Sequence, residues 1–164
     1  MTVPELLELY RYDRWANSRF LDALSGLSEK DLTKPLGTSH GSILGTLRHI
    51  LWSEWMWLGR WRKTAPTIGD PRSIADLSEL TSCWSDFEAD QRAFLQTLAE
   101  SDLDRVVSYE NPPGTTWSYL LRHMLQHVAN HATFHRGQVV TLMRQLGMKP
   151  PVTDFLVFFD ETEG

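Results

Sequence analysis

At 164 residues the chain is long enough for one well-cored domain, expected over residues 1–164, and too short for two comfortable ones. With 41% hydrophobic and 23% charged residues it matches ordinary globular usage, and a net charge of −5 with a pI near 5.6 argues against a binder of phosphate backbones. The single cysteine, Cys83, excludes an internal disulfide and a cysteine-rich zinc site, and suits a reducing compartment.

The chain opens MTVPELLELYRYDRW, with acidic residues early and no uninterrupted apolar run, so neither a signal peptide nor a transit peptide is expected. No stretch approaches the ~20 apolar residues of a membrane span. The expected location is the cytoplasm, with neither membrane nor nucleic acid as partner. Thr2 and Glu5 have capping-box spacing, Pro4 sits in the first turn, and apolar residues from Leu6 to Leu24 recur at helical intervals, predicting a first helix over residues 3–25. Gly26 suits its C-terminal stop, and residues 28–40 read as a connection with at most one short helical turn.

Residues 42–63 are helical again, but Ile43, Leu47, Ile50, Leu51, Trp55, Leu58 and Trp61 cover more than one face, as in a central helix or one shared between subunits. Trp52, Trp55, Trp57 and Trp61 crowd this stretch and suit core packing, a homodimer face or a substrate wall. Pro66, Gly69 and Pro71 mark a long crossover. A third helix is predicted over residues 76–100, and Val106, Val107 and Tyr109 then suit an extended piece ending in the Asn111–Pro112–Pro113–Gly114 turn. Thr115 or Thr116 is the expected cap of a fourth helix running to Leu146, stopped by Gly147 and by Pro150 and Pro151. The apolar tail around Phe155, Phe158 and Phe159 is expected to pack on the bundle. Four long helices with almost no strand signal predict an all-α four-helix bundle.

Four histidines stand at strict four-residue intervals on the fourth helix: His123, His127, His131 and His135. Neighbours four apart share a helix face, within reach of one metal ion, but each step drifts by about 40°, so the ends of the ladder diverge by about 120°. One adjacent pair, 123/127, 127/131 or 131/135, can chelate. A third ligand must come from His40, in a Gly-flanked loop, or from His49, which the second helix can aim across the bundle from a fixed backbone and which is therefore favoured. Several known sites are excluded by inspection. Val128 and Ala132 follow His127 and His131, so HExxH is absent, and no glutamate stands three before any histidine, as di-iron bundles require. Covalent haem attachment through CxxCH is absent too.

The stretch LLRHMLQHVANHATFHRGQVVTLMRQLG, followed by PPVTDF, resembles the fourth-helix signature of the DinB/YfiT-like family of small metal-binding bundles. YRYDRWANSRFLDAL and LRHILWSEWMWLGRW resemble its first two blocks, so the likeness spans nearly the whole chain, with Asp13 where asparagine is common. The resemblance implies an up-down-down-up bundle with its long crossover between helices two and three, often a homodimer, holding one divalent ion through three histidines. Carried over by position, these are His49, His131 and His135. His127 then packs beside the site, and His123 is more peripheral.

Three neutral imidazoles leave the charge of a dication uncompensated and coordination positions free, as in catalytic rather than structural zinc. Zn, Ni, Fe and Mn are all open identities. Such an ion activates either a water or, since sulfur is a softer ligand, a thiol. Characterised relatives point to the second. The resemblance therefore implies a metal-dependent S-transferase joining a low-molecular-weight thiol to a small-molecule electrophile. The alternatives are a non-catalytic metal- or ligand-binding dimer, a metal-dependent hydrolase, and a noncovalent haem protein. Glu54, Asp13, Asp154 and Arg136 are candidate acid–base residues with no assignment among them, and Arg136 and Gln138 are candidates for orienting the site.

Overall fold

Helix α1 (Val3–Leu24) starts where expected, because Thr2 Oγ1 accepts from the Glu5 N–H at 3.4 Å while Glu5 Oε2 accepts from the Thr2 N–H at 2.7 Å. The structure, a computed structural model, describes residues 1–162. A single turn, α2 (Glu29–Leu32), is capped by Ser28 and leads into a loop through His40. Helix α3 (Ile43–Arg62) is capped by Ser42 and ends at Lys63, whose φ of 59° is left-handed. The crossover, pinned by a 3₁₀ turn at Pro71–Ser73, delivers the chain to α4 (Leu77–Leu95), whose cap Asp76 accepts from the Glu79 N–H at 2.8 Å.

Two boundaries differ from expectation. Helix α4 stops at Leu95 rather than near residue 100, since the Thr97 hydroxyl takes the Phe94 carbonyl at 2.7 Å, and Asp102 then caps a separate 3₁₀ turn through the Ala99 N–H. The second departure is a β-hairpin. Strand β1 (Val106–Glu110) pairs antiparallel with β2 (Thr116–Leu120), Val106 opposite Leu120 and Glu110 opposite Thr116. Thr116 is therefore a strand residue and neither threonine caps a helix. Helix α5 (Leu121–Gln145) begins directly after β2, its first N–H donating to the Arg105 carbonyl at 2.8 Å.

The four long helices make the expected all-α bundle, with α1 and α3 each packed against both α4 and α5. Leu6, Tyr10, Phe20 and Leu24 of α1 meet Leu47, Ile50 and Leu58 of α3, Trp84 and Phe87 of α4, and Leu125, Val128 and Leu142 of α5 in a buried core. Burying each such side chain contributes about 1.5–3 kcal/mol, so the core fixes the α3–α5 pairing on which the histidines stand. Gly147, at φ 74°, ends α5. The tail forms α6 (Phe155–Thr162), whose Phe158 is buried against Tyr12 and Ala16 of α1, as the apolar tail predicts. Among the described residues, no helix is long and apolar enough to cross a membrane.

Candidate metal centre

Helices α3 and α5 bring histidines far apart in the chain together. His131 Nε2 lies 3.3 Å from His49 Nε2 and 3.0 Å from His135 Nε2. Nitrogens bound about 2.0–2.1 Å from one ion stand about 2.9–3.4 Å apart, depending on whether the angle between them is near 90° or tetrahedral, so these separations fit a shared centre. Without an ion the arrangement is crowded. One proton on His131 Nε2 can bridge to only one of its two neighbours, leaving lone pairs opposed.

His40 joins the group from the loop before α3. Its ring stacks on His49 with centroids 3.7 Å apart and an interplanar angle of 15°, and its centroid is 5.1 Å from that of His135. Ligand nitrogens of His40, His49 and His135 all lie within 4.8 Å of one another, a trio that takes His40 in place of His131, and His131 adjoins it through His49 and His135, so four imidazoles meet here. The loop is held closely enough for this to be built in. Gly41, at φ 76°, receives and donates backbone bonds within the loop, and the His40 carbonyl accepts from the Ser42 N–H at 2.9 Å. That carbonyl sits so near Gly45 that a Cβ there would lie 2.1 Å from it, so only glycine admits this approach.

Electrostatics prepare the cluster for a cation. Burial, followed by the neighbouring imidazoles, pushes His49 and His131 down to about 4, and burial with His135 lowers His40. These rings are neutral at physiological pH, the state a metal requires. Gln138 Oε1 lies 2.9 Å from His135 Nδ1 and accepts its proton when Nε2 is the bare nitrogen, leaving that lone pair facing the cluster.

The other ladder histidines fall away as the helical drift demands. His127 is exposed, with its ring 5.9 Å from that of His131 and edge-on to Trp57 at 5.5 Å. His123 is exposed one turn further. Both line a cavity of about 330 Å³ with Trp57, Met124, Tyr109 and Tyr119, the tyrosines coming from the hairpin. The tryptophan group divides its roles: Trp61 is buried against Phe94, Trp55 donates to the Ile68 carbonyl at 3.0 Å to tether the crossover, and Trp52 stands 5.9 Å from the His49 ring.

The candidate acid–base residues lie elsewhere. Asp13 and Arg136 form a buried ion pair at 2.5 Å, and Arg136 also donates to Asn17 and Thr133, both at 2.8 Å. Glu54 is 1% exposed, accepts from Gln91 at 3.1 Å, and is pushed well above the carboxylate range by burial and by Asp13 and Glu88. Asp154 borders the groove between α5 and the tail. None of these carboxylates hydrogen-bonds a ring of the cluster among the described residues.

A family model described as the DinB family matches residues 1–163. The chain belongs to the DinB family. It is 26% identical over 166 residues to Protein DinB of Bacillus subtilis (strain 168), covering 95% of each chain. A solved DinB-like protein from Bacillus cereus ATCC 10987 superposes with a TM-score of 0.77 at 18% identity, over 92% of this chain and 97% of that one. A second DinB-like structure, from Bacillus subtilis, has a TM-score of 0.64 at 20% identity, over 89% and 96%. At these identities the structures speak for the DinB fold. Sequence reasoning weighed His40 only as a rival to His49, named Tyr109 only as part of an extended piece, and did not single out Arg48 or Tyr119. Glycines at 41 and 45 around a histidine were the available sign for His40; Tyr119 enters on a second strand that the adjoining helical periodicity hid.

Proposed function

We propose that this DinB-family chain holds a divalent ion, Zn, Ni, Fe or Mn, through His49, His131 and His135, and with it transfers a low-molecular-weight thiol onto a small electrophile. The observation that carries the reading is the pair of Nε2 separations around His131, 3.3 and 3.0 Å, with His49 and His131 kept neutral by burial. A dication bound by neutral imidazoles supplies Lewis acidity and a lowered pKa for a thiol held there. Gln138 keeps His135 in the tautomer that faces the cluster, and His40 stacks over His49. The aromatic cavity beside His127 offers an apolar seat for the organic part of a reactant.

In the transfer the thiol sulfur bonds to the electrophilic carbon, the leaving group departs with its bonding electrons, and the thiol proton passes to solvent. Hydrolysis is less well supported, because a water nucleophile calls for an adjacent base and Asp13 and Glu54 are engaged in the buried network. The test is elemental analysis of the protein as isolated, followed by thiol titration. About one equivalent of metal, its loss in His131→Ala, and thiol-dependent consumption of an electrophile such as 1-chloro-2,4-dinitrobenzene are expected. Metal-loaded protein that ignores thiols, or turns the electrophile over equally without them, rejects the reading.

A further inference from the structure

A second cavity, about 380 Å³, opens against His40 and His49 of the histidine cluster. His40, Gly45, Arg48, His49, Trp52 and Arg72 line it. Two of these six are arginines. Arg48 precedes His49 on α3 and is half-buried. Its Nη2 donates to the Ala75 carbonyl at 2.5 Å, which clamps the guanidinium in place, while its Nε–H is buried with no partner. No carboxylate lies within ion-pair distance of Arg48 among the described residues. A fixed guanidinium with an unspent, desolvated N–H is a costly element in a folded chain, and the group that relieves it best is an anion accepting from the planar fork.

Arg72 arrives from the crossover. Its guanidinium carbon stands 5.1 Å over the Trp52 ring, and its charge is shared with Asp70 through a 2.5 Å ion pair. The four imidazoles add no negative charge. The cavity therefore has an uncompensated positive charge on Arg48, a tempered one on Arg72, and an indole wall between that arginine and the His49 ring, 5.9 Å from Trp52.

We propose that this cavity is a carboxylate subsite: the small electrophile carries a carboxylate, which Arg48 holds with Arg72 in support, while Trp52 flanks its carbon skeleton beside the histidine cluster. The proposal rests on the metal-centre reading for which substrate is held, and on Arg48 with Arg72, not on the metal, for how it is held. It names the substrate class as small organic acids and predicts discrimination against the corresponding amides and alcohols. A neutral amide or alcohol still offers Arg48 one acceptor but neither the charge nor the second oxygen of a carboxylate, so the bidentate, charge-assisted pair with the guanidinium is lost.

The probe is benzoate, compared with benzamide, titrated calorimetrically into metal-free and zinc-loaded protein. Benzoate is expected to bind both forms and benzamide neither. Arg48→Gln is expected to weaken benzoate tenfold or more in both forms, Arg48→Lys by less, with zinc content and melting temperature unchanged. Equal benzoate affinity in wild type and Arg48→Gln, or benzamide binding as tightly as benzoate, overturns the subsite. Should Arg48→Gln lose its fold along with the Ala75 tether, Arg48→Lys and the exposed Arg72→Gln decide: at least threefold weakening in each supports the proposal, and no change in either sinks it. Protein that takes up none of zinc, nickel, iron and manganese ends the metal-centre reading, while the metal-free titration still judges Arg48. Protein that takes up zinc but binds benzoate without Arg48 ends the subsite and spares the metal.

Discussion

A missing methyl group shapes the mouth of the site. At most helical positions Gly→Ala stabilises by about 1 kcal/mol, because alanine has less backbone freedom to lose. At Gly45 the added Cβ would meet the His40 carbonyl oxygen at 2.1 Å and the Ser42 hydroxyl at 3.3 Å, and a backbone atom cannot swing aside as a side-chain tip can. The clash outweighs the propensity. Gly45→Ala is therefore expected to destabilise by about 1–3 kcal/mol, opposite in sign to the usual effect, as read from urea unfolding at fixed pH. A more stable Gly45→Ala protein would mean that the His40 loop does not rest on the first turn of α3.

At the level of elements, α4 contributes a carboxyl whose protonation sets stability. Glu88 faces Asp13 and Arg14 of α1, Glu54 of α3 and Arg92 of its own helix; burial, then Asp13, raises it from 4.5 to about 7, with the two arginines opposing. A carboxyl raised in the folded state favours folding below its unfolded value, and that advantage is lost as pH rises from about 4.5 through 7. Glu88→Gln removes the loss. It is expected to be more stable than wild type by about 1–3 kcal/mol at pH 8 and no different near pH 4, measured by paired denaturant curves. Equal stability at both pH values would show Glu88 to be solvated. Such a network was invisible in one dimension, since Asp13, Glu54 and Glu88 read as ordinary charges on helix faces. The helices themselves were legible because their caps and apolar spacing are local: Thr2 with Glu5 acts as read, and Ser42 and Asp76, where the second and third helices were expected to begin, turn out to be their caps. Of the hairpin only the first half was legible, Val106, Val107 and Tyr109 forming the extended piece expected before the turn. Residues 116–120 adjoin a strongly periodic helix, and their strand state depends on pairing with Val106–Glu110 rather than on anything within the segment. The His131/His135 step was legible as spacing, whereas the choice among histidine pairs and the presence of His40 depend on how α3 lies against α5.

At the scale of the whole molecule, the cluster joins segments that are remote in the chain, His49 and His131 being 82 residues apart, so an ion bound there acts as a crosslink present only in the folded state. Its contribution follows mass action: free metal at a hundred times the dissociation constant adds about 2.7 kcal/mol. For a domain of this size that amounts to about 5–10 °C in melting temperature. Without metal the same imidazoles are a liability. Only one of the contacts at 3.0 and 3.3 Å around His131 can hold a proton, so deleting that ring relieves crowding as it removes a ligand. Chelation is therefore expected to lower the melting temperature of wild type by that margin, and readdition to restore it in proportion to the logarithm of free metal. His131→Ala should melt within about 2 °C of chelated wild type and ignore added metal. The variant separates the cluster from adventitious binding at the exposed His123 and His127, which it retains. A metal-dependent shift that survives in His131→Ala would move the ion to that exposed pair, and an unshifted wild type would leave the four convergent rings as packing alone.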